Sequence, residues 1–114
     1  MRVLNIRWVG VATDEYEAMR RFVEDVLRLR IGFEEPATVE YVTEDGDTFQ
    51  LFASDVRQCP VPLFEVDDVH AALHELETAG VEVVGGLQRD SAWEWVRVRA
   101  PDGNRYELAS RARD

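Results

Sequence analysis

Lysine is absent: all thirteen basic residues are arginine. Schiff-base chemistry and a phosphate-binding P-loop lysine are therefore excluded. Cysteine occurs once, as Cys59, which rules out an internal disulfide and a multi-cysteine zinc site. Cys59 stands beside Pro60 with no base assignable to it, so it is expected as a small buried apolar residue, not a nucleophile. No apolar run approaches the roughly 18 residues a membrane helix needs. The opening Met1-Arg2-Val3-Leu4-Asn5-Ile6-Arg7 lacks the apolar block of a secretory signal, so the expected location is the cytoplasm. No glycine-rich phosphate loop is present, since Gly85-Gly86 reads as a turn without the required spacing.

Acid dominates what is there. Twenty-three Asp and Glu against thirteen Arg give a net charge of -10. Such a field repels phosphate backbones and argues against nucleic acid as a partner. The 114 residues fit one domain, and 46% hydrophobic content can supply its core.

Val3 to Val11 reads as a buried strand. Asp14 then has capping-box spacing to Glu17. Tyr16, Met19, Val23, Val26 and Leu27 recur at helical spacing, which predicts an amphipathic helix of about 14 residues. Ile31-Gly32-Phe33 reads as a short strand. Val39–Thr43 and Thr48–Phe52 flank Asp45-Gly46, a hairpin signal. Ser54 to Pro60 reads as a crossing loop. Val61 to Val66 is strand-like, Asp67 is the expected cap of a second helix, and Val69, Ala72, Leu73 and Leu76 form its apolar face. Gly80 ends that helix. Val81–Val84 is a strand closed by Gly85-Gly86. Trp93–Arg99 and Arg105–Ser110 alternate around the turn Pro101-Asp102-Gly103-Asn104.

The order β-α-β-β-β thus occurs twice. A shift of 53 lays Asp14 on Asp67, Tyr16 on Val69 and Val23 on Leu76, which points to one module used twice. Two unrelated amphipathic helices would also align to this degree.

The stretch Val66-Asp67-Asp68-Val69-His70-Ala71-Ala72-Leu73 through Ala79-Gly80-Val81-Glu82-Val83, followed by Ala100-Pro101-Asp102-Gly103-Asn104-Arg105-Tyr106-Glu107-Leu108, resembles the vicinal oxygen chelate superfamily. That group holds glyoxalase I, extradiol dioxygenases and bleomycin-resistance proteins. The first half agrees more loosely through Phe22-Val23-Glu24-Asp25-Val26-Leu27. It lacks the usual Phe-Tyr before that segment and the usual Leu-Gly after it. The resemblance implies an α+β fold: two tandem βαβββ modules, about 1–55 and 60–114, forming a curved mixed sheet with helices on its outer face. It also implies a single domain over 1–114, a small-molecule cavity and a homodimer.

Metal-dependent members place ligands on the first and last strand of each module. By motif spacing these positions are Trp8, Gln50, Val61 and Glu107. Trp8 and Val61 cannot ligate, Gln50 offers a neutral oxygen, and Glu107 alone is competent. The expectation is no metal and no cofactor. Arg97 opposite Glu107 would form a cross-strand ion pair if the Pro-Asp-Gly turn carries a bulge. Otherwise Glu107 contacts a ligand or serves as a base. Trp93, Trp95, Arg97 and Arg99 share one strand face, with Val96 and Val98 on the other. Trp8, Gln50, Trp95, Arg97 and Glu107 are the expected ligand-binding residues. Trp8 either lines the pocket or plugs the space of a lost metal. His70 and His74 lie i, i+4 on the second helix, without the glutamate of a zinc-protease motif, and read as surface residues.

The favoured function is a metal-free small-molecule-binding protein taking an aromatic or cationic compound. The alternative is a glyoxalase- or dioxygenase-like enzyme using non-standard metal ligands, or Glu107 as catalytic base. A pure interaction module ranks third.

Overall fold

The computed structural model describes residues 1–113. Eight strands and two helical segments run β1 (Val3–Thr13), α1 (Tyr16–Arg21, continued by a π-helical turn Phe22–Val26), β2 (Arg30–Glu35), β3 (Thr38–Val42), β4 (Thr48–Ala53), β5 (Val61–Val66), α2 (Val69–Thr78), β6 (Glu82–Arg89), β7 (Trp93–Arg99) and β8 (Arg105–Arg111). The strands form a mixed sheet, as the doubled βαβββ order predicts.

Two compact units divide the chain. One spans Trp8–Pro60, and the other joins Met1–Arg7 to the chain from Val61 onward. In the first unit the strand order is β2-β3-β4 followed by the second half of β1. β1 pairs with β4 in parallel, Gly10 opposite Gln50, while β3 pairs antiparallel with both β2 and β4. Val23, Val39, Tyr41 and Leu51 are its buried core, with Val11, Tyr16, Met19 and Phe49 packed around them. In the second unit β5 pairs with β8 in parallel, and β8-β7-β6 is an antiparallel meander. Its core is Val66, Val69, Ala72, Val96, Val98 and Leu108.

The repeat is visible in the backbone. β1 ends at Thr13 and β5 at Val66, and the helices start at Tyr16 and Val69, both offsets equal to the predicted 53. Both hairpins close alike. Thr43 N donates to Asp47 O and Gly46 N to Thr43 O, while Ala100 N donates to Asn104 O and Gly103 N to Ala100 O. Gly46 and Gly103 sit at φ 89 and 87, left-handed positions where glycine closes a three-residue loop without strain.

Several expectations are corrected. The first helical run, Tyr16–Arg21 and then the π turn Phe22–Val26, stops short of the expected length, because Arg28 takes a left-handed φ of 59 that cannot continue it. The π turn's longer cycle carries Val26 and Leu27 out of the apolar stripe, and both are exposed. Asp14 does not cap. Glu15 is the N-cap, and Asp14 instead accepts from Arg57 at 3.0 and 3.1 Å. Asp68, not Asp67, caps α2, accepting from His70 N and Ala71 N. Asp67 is taken by the Arg2 and Asp68 amides. Gly85 and Gly86 do not end a strand; β6 runs through them with a register shift between Val84 and Gln88. Cys59 is exposed, not buried, as it lies in the irregular segment between β4 and β5.

Candidate functional site

The sheet of each unit has one face under its helix and one face without. In the first unit Val11, Leu51, Val39 and Tyr41 face the helix. Alternation sends Trp8, Gly10, Gln50, Thr38 and Glu40 to the helix-free face. There the Trp8 Nε1 donates to Gln50 Oε1 at 3.0 Å. Gln50 Nε2 donates to Thr38 Oγ1 at 2.9 Å, and that hydroxyl donates to Leu51 O at 2.8 Å. The indole lies over Gly10, where an added Cβ would stand 2.1 Å from its ring. Phe52 meets it edge-on, centroids 6.4 Å apart. Trp8 therefore lies across its own strand and holds Gln50.

Glu40, which sequence reasoning missed, is opposite both Phe33 and Gln50. Burial pushes its carboxyl above the usual range. Its signal was available: it alternates with Val39 and Tyr41, both buried, and so shares the face of Gln50.

In the second unit Trp93, Trp95, Arg97 and Arg99 share the helix-free face of β7, as the alternation predicts. Glu94, Val96 and Val98 are buried under α2. Arg97 stands directly opposite Glu107. Its Nε and Nη2 reach Glu107 Oε2 at 3.0 and 2.8 Å, from a half-exposed guanidinium to a buried carboxylate. Trp95 is half-buried opposite the small Ala109. Trp93 is flanked by cations, Arg111 at 4.3 Å and Arg7 at 5.4 Å from its ring. Each unit thus assembles its own share of the expected residues: Trp8 with Gln50, and Trp95 and Arg97 with Glu107.

His74 is exposed. His70, half-exposed at its ring, also reaches inward, its Nε2 2.8 Å from Glu94 Oε2. Glu94 accepts from the Arg113 amide as well. That amide first and the imidazole next hold its carboxyl below the usual range against the cost of burial. Glu94 was legible by the same alternation that placed Val96 and Val98.

The side chains at the four positions that the superfamily resemblance assigns to metal ligands are ill suited, taken one by one, to a divalent ion. The Trp8 and Val61 side chains have no atom that ligates a metal, and the Trp8 N–H already donates to the Gln50 oxygen. The Glu107 carboxylate bonds a guanidinium instead of standing free. No group of three or more His, Cys, Asp or Glu among the described residues is placed to hold a metal.

No described helix is long and apolar enough to cross a membrane. Among solved structures the chain is similar to the Mn(II)-bound glyoxalase from Novosphingobium aromaticivorans, with 25% identity and a TM-score of 0.81 over 99% of this chain and 42% of that one. It is also similar to an extradiol ring-cleaving dioxygenase from B. fuscum, with 17% identity and a TM-score of 0.84 over 98% of this chain and 34% of that one. The chain therefore spans less than half the length of these two. A superfamily member from Vibrio splendidus 12B01 has 19% identity and a TM-score of 0.77 over 93% of this chain and 99% of its own. Comparison with curated proteins finds no match. The family model for the Glyoxalase/Bleomycin resistance protein/Dioxygenase superfamily matches residues 5–108. With that match spanning nearly the whole chain, this protein belongs to the glyoxalase/bleomycin resistance protein/dioxygenase superfamily.

Proposed function

We propose that this chain is a small-molecule-binding member of its superfamily that works without a metal and takes an aromatic or cationic compound on its helix-free sheet surface. The observation that supports this reading is how the polar groups at the ligand positions are engaged. Gln50 is bonded by Trp8, and Glu107 by Arg97. A metal drawing on Gln50 would compete with Trp8, one drawing on Glu107 would bind beside the Arg97 cation, and the Trp8 and Val61 side chains would add no ligand. Tryptophan with a few fixed polar groups is the usual make-up of a small-molecule site. The superfamily likeness adds a homodimer, and light scattering that shows a monomer at high concentration counts against it.

The test has two steps. Protein purified without chelator, then offered nickel, zinc, manganese or iron, is expected to hold no stoichiometric metal by elemental analysis. A thermal-shift screen of small aromatic compounds is then expected to give hits that quench tryptophan fluorescence saturably. Trp95→Ala is expected to weaken these hits about tenfold or more. One metal per chain, or a screen without hits, overturns the reading.

One observation favours an enzyme as second reading. Both Arg97 contacts go to Glu107 Oε2, and Oε1 accepts no hydrogen bond from any described residue. A carboxylate oxygen so placed is available as a general base. That reading requires Glu107→Gln to abolish a turnover while circular dichroism stays unchanged.

A further inference from the structure

Among the described residues Glu40 has no hydrogen-bond or ion-pair partner. It sits in the middle of β3 between Val39 and Tyr41, both fully buried toward the helix. Its own side chain turns to the helix-free face and is half-buried there. Burial raises its carboxyl above the usual value, and no hydrogen bond from a described residue offsets it. Gln50, directly opposite, is already engaged by Trp8 and Thr38. Withdrawing a carboxylate from water without a partner is unfavourable, and a cation brought to it relieves that cost.

The surroundings suit an organic cation better than a bare ion. Phe33 stands opposite Glu40 on β2 and leaves half of its surface exposed. Trp8 and Phe52 add aromatic surface on the same unit. Ring faces beside a carboxylate attract an ammonium through both charge and quadrupole. The net charge of -10 draws cations toward the chain and repels anions. A lone carboxylate supplies too few oxygens for a calcium or magnesium site.

We propose that Glu40, with Phe33 beside it, is a binding subsite for the protonated amine of a small aromatic or apolar compound. This rests on the small-molecule reading above and narrows its ligand to a cationic one. Glu40 accepts the ammonium N–H, Phe33 covers the adjoining carbon, and the Trp8-held Gln50 keeps the floor of the subsite fixed.

Three probes of one shape test it: benzylamine, benzyl alcohol and benzoate at neutral pH, followed by tryptophan indole shifts in NMR and by calorimetry. Wild-type protein is expected to bind benzylamine about tenfold more tightly than benzyl alcohol, with benzoate weakest. Glu40→Gln is expected to bring benzylamine down to the level of benzyl alcohol and to leave the alcohol unchanged. Glu40→Asp restores part of the preference, and Phe33→Ala, at an exposed position, weakens both. Binding of amine and alcohol with equal affinity, or a preference that survives Glu40→Gln in folded protein, overturns the cationic subsite alone. Failure of all three probes, together with an empty aromatic screen, overturns the small-molecule reading and this subsite with it.

Discussion

Glu24 joins the first helical segment to the sheet through one oxygen. Its Oε2 receives Arg20 Nε at 2.7 Å and the Tyr41 hydroxyl at 2.6 Å. Arg20 also pairs with Glu34 on β2. The arginine first and the tyrosine second hold the Glu24 carboxyl below the usual range. Burial, then the Glu24 contact, raises the Tyr41 hydroxyl. A carboxyl whose folded value is depressed stabilises the fold fully above its unfolded value of about 4.3. That contribution is lost as pH falls through the lower folded value. Glu24→Gln is expected to cost about 1–2 kcal/mol at pH 7. It should also flatten the loss of stability between pH 5 and pH 3. Urea unfolding at the three pH values measures both, and parallel curves for variant and wild type would contradict the assignment. At this scale the sequence reading worked where alternation decides. Arg97 faces Glu107 and Trp95 shares their face because strand period is two. It failed where a side chain bends along its own strand. Nothing in the one-letter string says that Trp8 lies over Gly10 and takes Gln50.

At the scale of elements, Arg28 is the point of backbone strain. It follows Leu27 and, alone among the described non-glycine residues, sits at positive φ, 59. Leu29 N bonds Val23 O across it, closing the π turn. A non-glycine residue there carries strain of about 1–2 kcal/mol that glycine avoids. Glycine gives part of this back through its freer unfolded chain. Arg28→Gly is therefore expected to stabilise by about 0.5–1 kcal/mol. A midpoint that falls in denaturant titration would mean the Arg28 side chain contributes more than its backbone costs. The π turn also explains why Val26 and Leu27 were misplaced by a 3.6-residue count. The caps slipped by one residue for a tertiary reason. Asp67 and Asp68 are equally able to cap, but the Arg2 amide claims Asp67 and the Ser110 hydroxyl accepts from Val69 N. Such choices depend on residues more than forty positions away, beyond the reach of local spacing.

Across the whole molecule the sequence repeat and the compact units do not share a boundary. The offset of 53 pairs β1 with β5, yet β1 passes from one unit to the other between Arg7 and Trp8. Its first half is bound to the later part of the chain. Arg2 exchanges backbone and side-chain hydrogen bonds with Asp67, Asn5 Nδ2 donates to Glu65 Oε1 at 3.0 Å, and Arg7 lies over Trp93. Residues 1–7 thus complete the sheet beside β5, an edge that would otherwise leave backbone groups unpaired. Removing them should act on one unit and spare the other. In a chain lacking residues 1–7, amide exchange at Ala72 and Val96 is expected to speed up roughly thirtyfold, about 2 kcal/mol. Exchange at Val23 and Leu51, in the unit spanning Trp8–Pro60, should change little. Equal acceleration at all four amides would mean that the two units unfold as one, and no acceleration at Ala72 and Val96 would mean that β5 does not depend on this strand.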